Sequence, residues 1–266
     1  AASYVAGVQK PSDYEMVQLQ NQFWHACSQG LLIDVKILVS QGIDLNCRDD
    51  DGRSGLILAG LNGHGEIAAQ LLQQGADPFI RLFDGKTALH IAVAGNFEKC
   101  TRLMLQYCPK VNDWIECHDR EGYMAIHYAA LAGNIDILRI FLEDTKQSAS
   151  TKTIERLTPL MCCIIADQPH ITSWMAKHFP KSMNEVSCHG DTALHLAVCS
   201  PGMAHTSSLL AAGASFGIRN FKGLLPIHLA KTKEVRDLLG STIVAAKNSS
   251  GGPFSKTMAS RFIDKS

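Results

Sequence analysis

Only a handful of residues in this 266-residue chain combine a reactive side chain with a setting that suggests chemistry. His195 stands in the stretch GDTALHLAV, residues 190–198, where an imidazole inside an apolar run is a candidate metal ligand or general base. Cys117-His118 and Cys188-His189 each join a thiol to an imidazole, two ligand types that suit zinc. Cys162-Cys163 offers neighbouring thiols, either core contacts or a redox sensor. The stretch GRSGL from Gly52 approaches the G-x-S-x-G nucleophile elbow, yet Leu56 stands where the second glycine belongs. The sequence contains no phosphate-cradling glycine loop and no H-E-x-x-H pair.

Composition sets the frame for these residues. With 46% hydrophobic and 19% charged residues, the chain suits one long or two ordinary domains with a real core. Lys plus Arg and Asp plus Glu both number 25, so overall charge points to neither nucleic acid nor membrane. No apolar stretch approaches the roughly 18 to 20 residues that a spanning helix needs. The opening AASYVAGVQK lacks the profile of a signal peptide, and a start at Ala1 suggests a piece of something longer. The nine cysteines are odd in number and form no C-x-x-C, which favours a reducing cytosol or nucleus. The sequon at Asn248 is then expected to stay unglycosylated.

The stretch around His195 comes back along the chain. With Thr192 as the anchor of TALHLA, matches are NQFWHA at Asn21, SGLILA at Ser54, TALHIA at Thr87, MAIHYA at Met124, TPLMCC at Thr158 and LPIHLA at Leu225. The anchors step by 33, 33, 37, 34, 34 and 33 residues. Val39, Leu72, Leu105, Leu142, Ala176 and Leu210 hold one register after the anchors, and Gly42, Gly75 and Gly213 follow where a helix would end. Short extended stretches (GIDLN, GADPF, GASFG) lead into turns such as Asp51-Gly52, Asp84-Gly85 and Glu121-Gly122. Each unit therefore reads as a turn, a short helix rich in small residues, a second helix and a projecting finger. No unit of this size buries its own apolar face, so the units must stack.

This pattern resembles the ankyrin repeat, whose signature is T-P-L-H-x-A on a 33-residue period. Thr87–Ala92 and Thr192–Ala197 carry the resemblance best, while Trp24, Ile57 and Met161 replace the signature histidine in the first, second and fifth units. It implies an all-α solenoid of about seven helix-turn-helix repeats with β-hairpin-like loops over residues 12–240, between tails at 1–11 and 241–266, the latter expected to be disordered. It also implies that His90, His127, His195 and His228 share one structural position, bonding neighbouring loop backbone and tying one unit to the next. Asn46, which ends LVSQGIDLN, is similar to ankyrin asparagines that a hydroxylase modifies; the alternative is that it bonds its own turn. The last unit, with Gly213, Ala214, Arg219, Asn220, Pro226, His228 and Leu229, is similar to inhibitor-of-NF-κB-like (IκB-like) regulators, which bind transcription-factor dimers.

The repeat also bears on the remaining chemistry. Cys117-His118 and Cys188-His189 fall two units apart, about 20 Å if neighbouring helices pack about 10 Å apart, whereas zinc–ligand bonds are about 2.0 to 2.3 Å. No metal site, cofactor or catalytic residue is expected, and the chain reads as a non-enzyme. Ser12 and Glu15 form a capping box that would start a long first helix, running to about Ser28. The longer step inserts QYCPKVNDWIECHD, in which Trp114 and Ile115 either pack beneath the third finger or face a partner.

What remains is binding. Six residues before successive anchors stand Arg48, Arg81, His118, Lys152, Val186 and Arg219, a row rich in fixed positive charge. Closer to the anchors lie Arg53, Phe83, Lys86, Arg120, Tyr123, Ile154, Leu157, Phe221, Lys222 and Leu224. Aromatic residues beside arginines are the usual make-up of binding hot spots. Against this, Asp49, Asp50, Asp51, Asp84, Asp119 and Glu121 could neutralise the row and leave an ordinary solvated face. If functional, the row favours an acidic or phosphorylated protein segment, and direct nucleic acid less, because the charges interleave. The expectation is a protein-binding module in the cytoplasm or nucleus, an IκB-like signalling or transcription regulator. Its alternatives are the interaction domain of a larger enzyme or channel, or a scaffold or ubiquitin-ligase adaptor.

Overall fold

The structure, a computed structural model, describes residues 13–249; Ser12 of the expected capping box and most of the two expected tails lie outside this range. The chain divides after Gln147 into two compact units. The first holds α1 (Asp13–Gln29), α2 (Leu32–Ser40), α3 (Gly55–Leu61), α4 (Gly65–Gln73), α5 (Ala88–Ala94), α6 (Glu98–Tyr107), α7 (Val111–Ile115), α8 (Ala125–Ala132) and α9 (Ile135–Arg139), which runs on into a π-helical turn, Ile140–Asp144. The second holds α10 (Pro159–Ile165), α11 (Pro169–His178), a 3₁₀ turn (Pro180–Asn184), α12 (Ala193–Ala197), α13 (Ala204–Ala211), α14 (Pro226–Leu229) and α15 (Lys233–Ser249).

The helices come in antiparallel pairs, one pair per repeat, with α7 as the extra element of the long step. Each first helix starts at its anchor for a local reason. The hydroxyl of Ser54 accepts the Ile57 N–H and that of Thr158 accepts the Met161 N–H, satisfying donors that a helix start leaves orphaned. Where the histidine is present it closes the cap from the other side, as when Nδ1 of His90 accepts the Thr87 N–H at 3.2 Å. First helices stack within each unit through alanines with no exposed surface, among them Ala88, Ala92, Ala125 and Ala129 in one unit and Ala193 and Ala197 in the other. Small side chains let the backbones approach, and the second helices cover the pair from behind.

The tight turn between paired helices needs a left-handed residue. Gly63 fills it at φ 72°, while Asn96 (φ 61°) and Asp167 (φ 53°) fill it in two other repeats, being the non-glycine residues that tolerate that region best. The fingers are hairpin turns rather than strands: the only bridges among the described residues are the isolated Arg48–Ser54 and His118–Met124 pairs. Trp114 settles the reading of the insert, since it is fully buried and its indole N–H donates to the Thr87 hydroxyl at 3.2 Å. At the far end, α15 continues to Ser249 with Ile243 buried, so the expected tail boundary at 240 falls in mid-helix. An apolar stripe of Val235, Leu239 and Ile243 at i, i+4 and i+8 keeps that helix docked.

Candidate protein-binding surface

The fingers are held by a recurring device. In each of six fingers the residue five before the anchor donates its N–H to the carbonyl just before the anchor, from Asp49 to Arg53 (3.0 Å) through to Asn220 to Leu224 (2.9 Å). In five of them the side chain at the head of the turn also ties the loop from inside, Leu82 being the exception. Asp119 Oδ1 accepts the N–H groups of Glu121 and Tyr123, both at 2.9 Å, and Asp49 and Asn220 do the same in their own turns. Asp49 and Asp119, read from sequence as acids that offset the basic row, thus also serve the backbone, Asp49 while its other oxygen pairs with Arg53. Adjacent fingers are joined by Arg120 N–H to Asp84 carbonyl (3.0 Å), Cys188 to Glu155 (2.8 Å) and Phe221 to His189 (3.0 Å). At the last of these a Cβ on Gly190 would lie 2.7 Å from the Phe221 nitrogen, so only glycine permits the approach.

The histidines tie repeat to repeat. His90 Nε2 reaches the Tyr123 carbonyl at 3.1 Å and His195 Nε2 the Leu224 carbonyl at 3.1 Å, each in the following repeat. Because Nδ1 accepts a backbone N–H in both, the proton sits on Nε2, which donates. Burial favours the neutral ring: it lowers the pKa of His90 to about 4 and also lowers that of His195. His127 and His228 accept the N–H of Met124 and Leu225 in the same way, and His228 is exposed on its last repeat.

On this frame the expected contact residues separate. In the first unit Phe83 stands out at 76% exposure, and Arg48, Arg81 and Arg120 are exposed without a carboxylate ion pair among the described residues. The Arg81 guanidinium donates to the carbonyls of Gly85 and His118, so it also braces two fingers. Arg53 is half-buried and paired with Asp49 (2.8 Å) and Asp51 (2.7 Å), and Lys86 is paired with Asp84 (2.8 Å). Tyr123 is half-buried against Tyr128 and His127. In the second unit Ile154 (70%) and Phe221 (74%) are exposed tips, as are Arg219 and Lys222. Arg219 donates to the Gly223 carbonyl at 2.6 Å, and Lys152 of the basic row is spent on Glu185 at 2.6 Å. Leu157 is only 8% exposed and packs inward beneath its finger, which removes it from any contact surface. Asn46 accepts the N–H of Asp77 in the next repeat at 2.9 Å, a bond that Asn184 repeats with Ser215 at 3.0 Å.

Two groups escaped sequence reasoning. Thr172, His205 and Asp167 form a hydroxyl–imidazole–carboxylate chain with both contacts at 2.9 Å, but the hydroxyl is fully buried and donates to the Gln168 carbonyl. A substrate cannot reach it, and the chain joins α11 to α13 instead. Tyr128 donates to Asp119 Oδ2 at 2.6 Å and lies 5.5 Å beneath the Lys86 ammonium. Of the thiol–imidazole pairs, Cys117 is buried, whereas the exposed Cys188 has its sulfur 3.1 Å from His189 Nδ1. Among the described residues no three His, Cys, Asp or Glu side chains gather as metal ligands, and no helix is long and apolar enough to cross a membrane.

Comparison with known proteins places this geometry. The family profile "Ankyrin repeats (3 copies)" matches residues 75–153. The NF-kappa-B p105 subunit of Gallus gallus is 24% identical over 76% of this chain and 23% of its own length. NF-kappa-B inhibitor delta of Mus musculus is 24% identical over 70% of this chain and 65% of its own. The human transient receptor potential cation channel subfamily A member 1 is 27% identical over 73% of this chain but 17% of the channel. The chain thus spans less than two thirds of each of these relatives. Among solved structures, the ankyrin repeat domain of Bcl-3, described as a member of the IκB family, superposes with TM-score 0.74 at 22% identity, covering 82% of this chain and 97% of that one. That of human ASB11 gives 0.68 at 23% identity, covering 83% and 96%. The repeat period, the histidine ties and the hairpin fingers agree with these likenesses: ankyrin repeats are matched over residues 75–153, and the described chain folds as solved ankyrin repeat domains do.

Proposed function

We propose that this chain is a non-enzymatic protein-binding module whose first unit grips its partner through the fingertip Phe83 and the arginines Arg48, Arg81 and Arg120. The observation that carries this reading is Phe83 itself, a large aromatic left 76% exposed on a finger closed by the Leu82 N–H to the Lys86 carbonyl and the Gly85 N–H to the Leu82 carbonyl, both at 2.9 Å. A tip held this way loses little conformational entropy on binding. Arg48, Arg81 and Arg120, which make no carboxylate ion pair among the described residues, favour an acidic or phosphorylated segment. Ile154, Arg219, Phe221 and Lys222 offer a second set of contacts in the other unit. The likeness to NF-kappa-B inhibitor delta and the p105 subunit supports an IκB-like regulator acting on a transcription-factor dimer in the cytoplasm or nucleus. A second reading, the interaction domain of a larger protein, is supported by matches to a cation channel and to the E3 ubiquitin-protein ligase KEG of Arabidopsis thaliana, which cover 17% and 13% of those proteins.

The test is a pull-down and titration comparing wild type with Phe83→Ala plus Arg120→Glu. Arg81 is left intact because its guanidinium braces two fingers. Loss of one well-packed anchor and one charge should weaken partner binding by 2 kcal/mol or more, about thirtyfold, with no change in melting temperature. Retention of the same partners at the same affinity would discard this face.

A further inference from the structure

Lys86 does not reach outward. Its ammonium pairs with Asp84 at 2.8 Å and hangs 5.5 Å over the centroid of the Tyr128 ring. That ring is the floor of a small aromatic and acidic corner. Tyr123 leans on it with centroids 5.7 Å apart, and His90 meets its edge at 5.9 Å. Its hydroxyl gives a 2.6 Å hydrogen bond to the buried carboxylate of Asp119. A phenol that donates to a carboxylate carries extra electron density on its ring face, which strengthens its attraction for a cation. The other charges that act on the phenol come from Asp84 and Glu121, both exposed and both negative. The corner has the make-up of a receptor for an alkylammonium group, and the chain's own lysine occupies it.

Building on the protein-binding reading above, we propose that the Tyr128 face is a cation subsite that takes a lysine side chain from the partner, which enters by displacing Lys86. The arginines on the fingertips and this corner then read opposite charges of one partner, and a segment of uniform sign satisfies only one of them. Lys86 acts as a tethered competitor. It keeps the ring covered until a lysine arrives with enough surrounding contacts to replace it, so the subsite adds selectivity more than affinity. Because π-recognition does not require an N–H donor, a trimethylated lysine is accepted at the ring while it forfeits the hydrogen bond to Asp84.

The subsite is tested without any partner, so its outcome is separate from that of the pull-down. Acetyl-lysine methylamide and its Nε-trimethyl form are titrated into the protein while the tyrosine ring resonances are followed by NMR, with acetyl-glycine methylamide as control. Wild type should bind both lysine probes weakly, and Lys86→Ala should bind each about tenfold more tightly, as expected for uncovering a partly desolvated cation–π site. Lys86→Ala with Tyr128→Leu should lose both probes. Lys86→Ala with Tyr128→Phe keeps the ring and controls for folding, and it should retain the trimethyl probe at reduced affinity. The proposal fails if Lys86→Ala binds no more tightly than wild type. It also fails if Asp84→Asn in the Lys86→Ala protein abolishes binding of both probes while Tyr128→Phe leaves it untouched, which would make the contact an ordinary ion pair.

Discussion

Replacing His90 isolates the contribution of one repeat-to-repeat tie. The ring is fully buried, accepts the Thr87 N–H and donates to the Tyr123 carbonyl in the next repeat. In His90→Leu both backbone groups lose their partner inside the protein, and each orphaned group costs about 1 to 3 kcal/mol, so a loss of about 2 to 4 kcal/mol at neutral pH is expected. The same ring sets a pH dependence. Burial lowers its pKa from 6.5 to about 4, so the folded state holds the neutral form. Above pH 6.5 both folded and unfolded chains carry neutral imidazole and the full stability is present. As pH falls, the unfolded chain takes up its proton first and the folded protein follows only near pH 4, so stability drains away across that window. Between about pH 7.5 and about pH 5, His90 alone should remove about 2 kcal/mol. The assay is urea unfolding of wild type and His90→Leu at both pH values, followed by tryptophan fluorescence. The variant should be less stable at neutral pH yet lose about 2 kcal/mol less on acidification. An equal pH dependence in the two proteins would refute the claim that a buried neutral imidazole ties these repeats.

Two further outcomes follow from the same structure. Trp114→Phe keeps an aromatic ring beneath the third finger but removes the N–H that bonds Thr87, and it should cost about 1 to 2 kcal/mol in denaturant unfolding; an unchanged midpoint would mean the bond contributes nothing. Thiol labelling of the native protein with mass-spectrometric readout should modify Cys188 first, since it is exposed, and leave Cys27, Cys100 and Cys162, whose burial pushes their pKa up to about 12, unreacted until the protein unfolds. Equal labelling rates for Cys162 and Cys188 would contradict the packing of the first helices.

How much of this was legible in the sequence depended on whether a residue's role was local or periodic. The repeat period and the histidine position were readable because stacking forces identical contacts at identical spacing. His195 bonds the last carbonyl before the next anchor, as His90 does. Finger residues were harder. Leu157 and Ile154 sit three apart in one turn, yet one faces inward and the other stands 70% exposed, and only the turn's path decides which. Asp49 and Asp119 read as acids that offset the basic row; Asp49 does pair with Arg53, and in both a carboxylate two and four residues before free N–H groups also closes on them. Tyr128 and Lys86 lie in different repeats at unrelated positions of the motif, and His205 on α13 pairs with Asp167 in the turn before α11. Neither meeting follows any period, so no pattern search finds them. The length of α15 was missed because Gly240, a poor helix former, follows Leu239 where the last repeat would end.

Three of the rungs between fingers involve only main-chain atoms: Arg120, Cys188 and Phe221 occupy one register, and each makes its rung with its N–H alone. An arginine, a thiol and a phenyl ring are equally acceptable there, and proline alone is barred for want of a donor. Architecture and vocabulary are thereby uncoupled. A lineage, or an engineer, can respell the tip of one repeat to suit a new target without renegotiating the contacts that hold its neighbours in line.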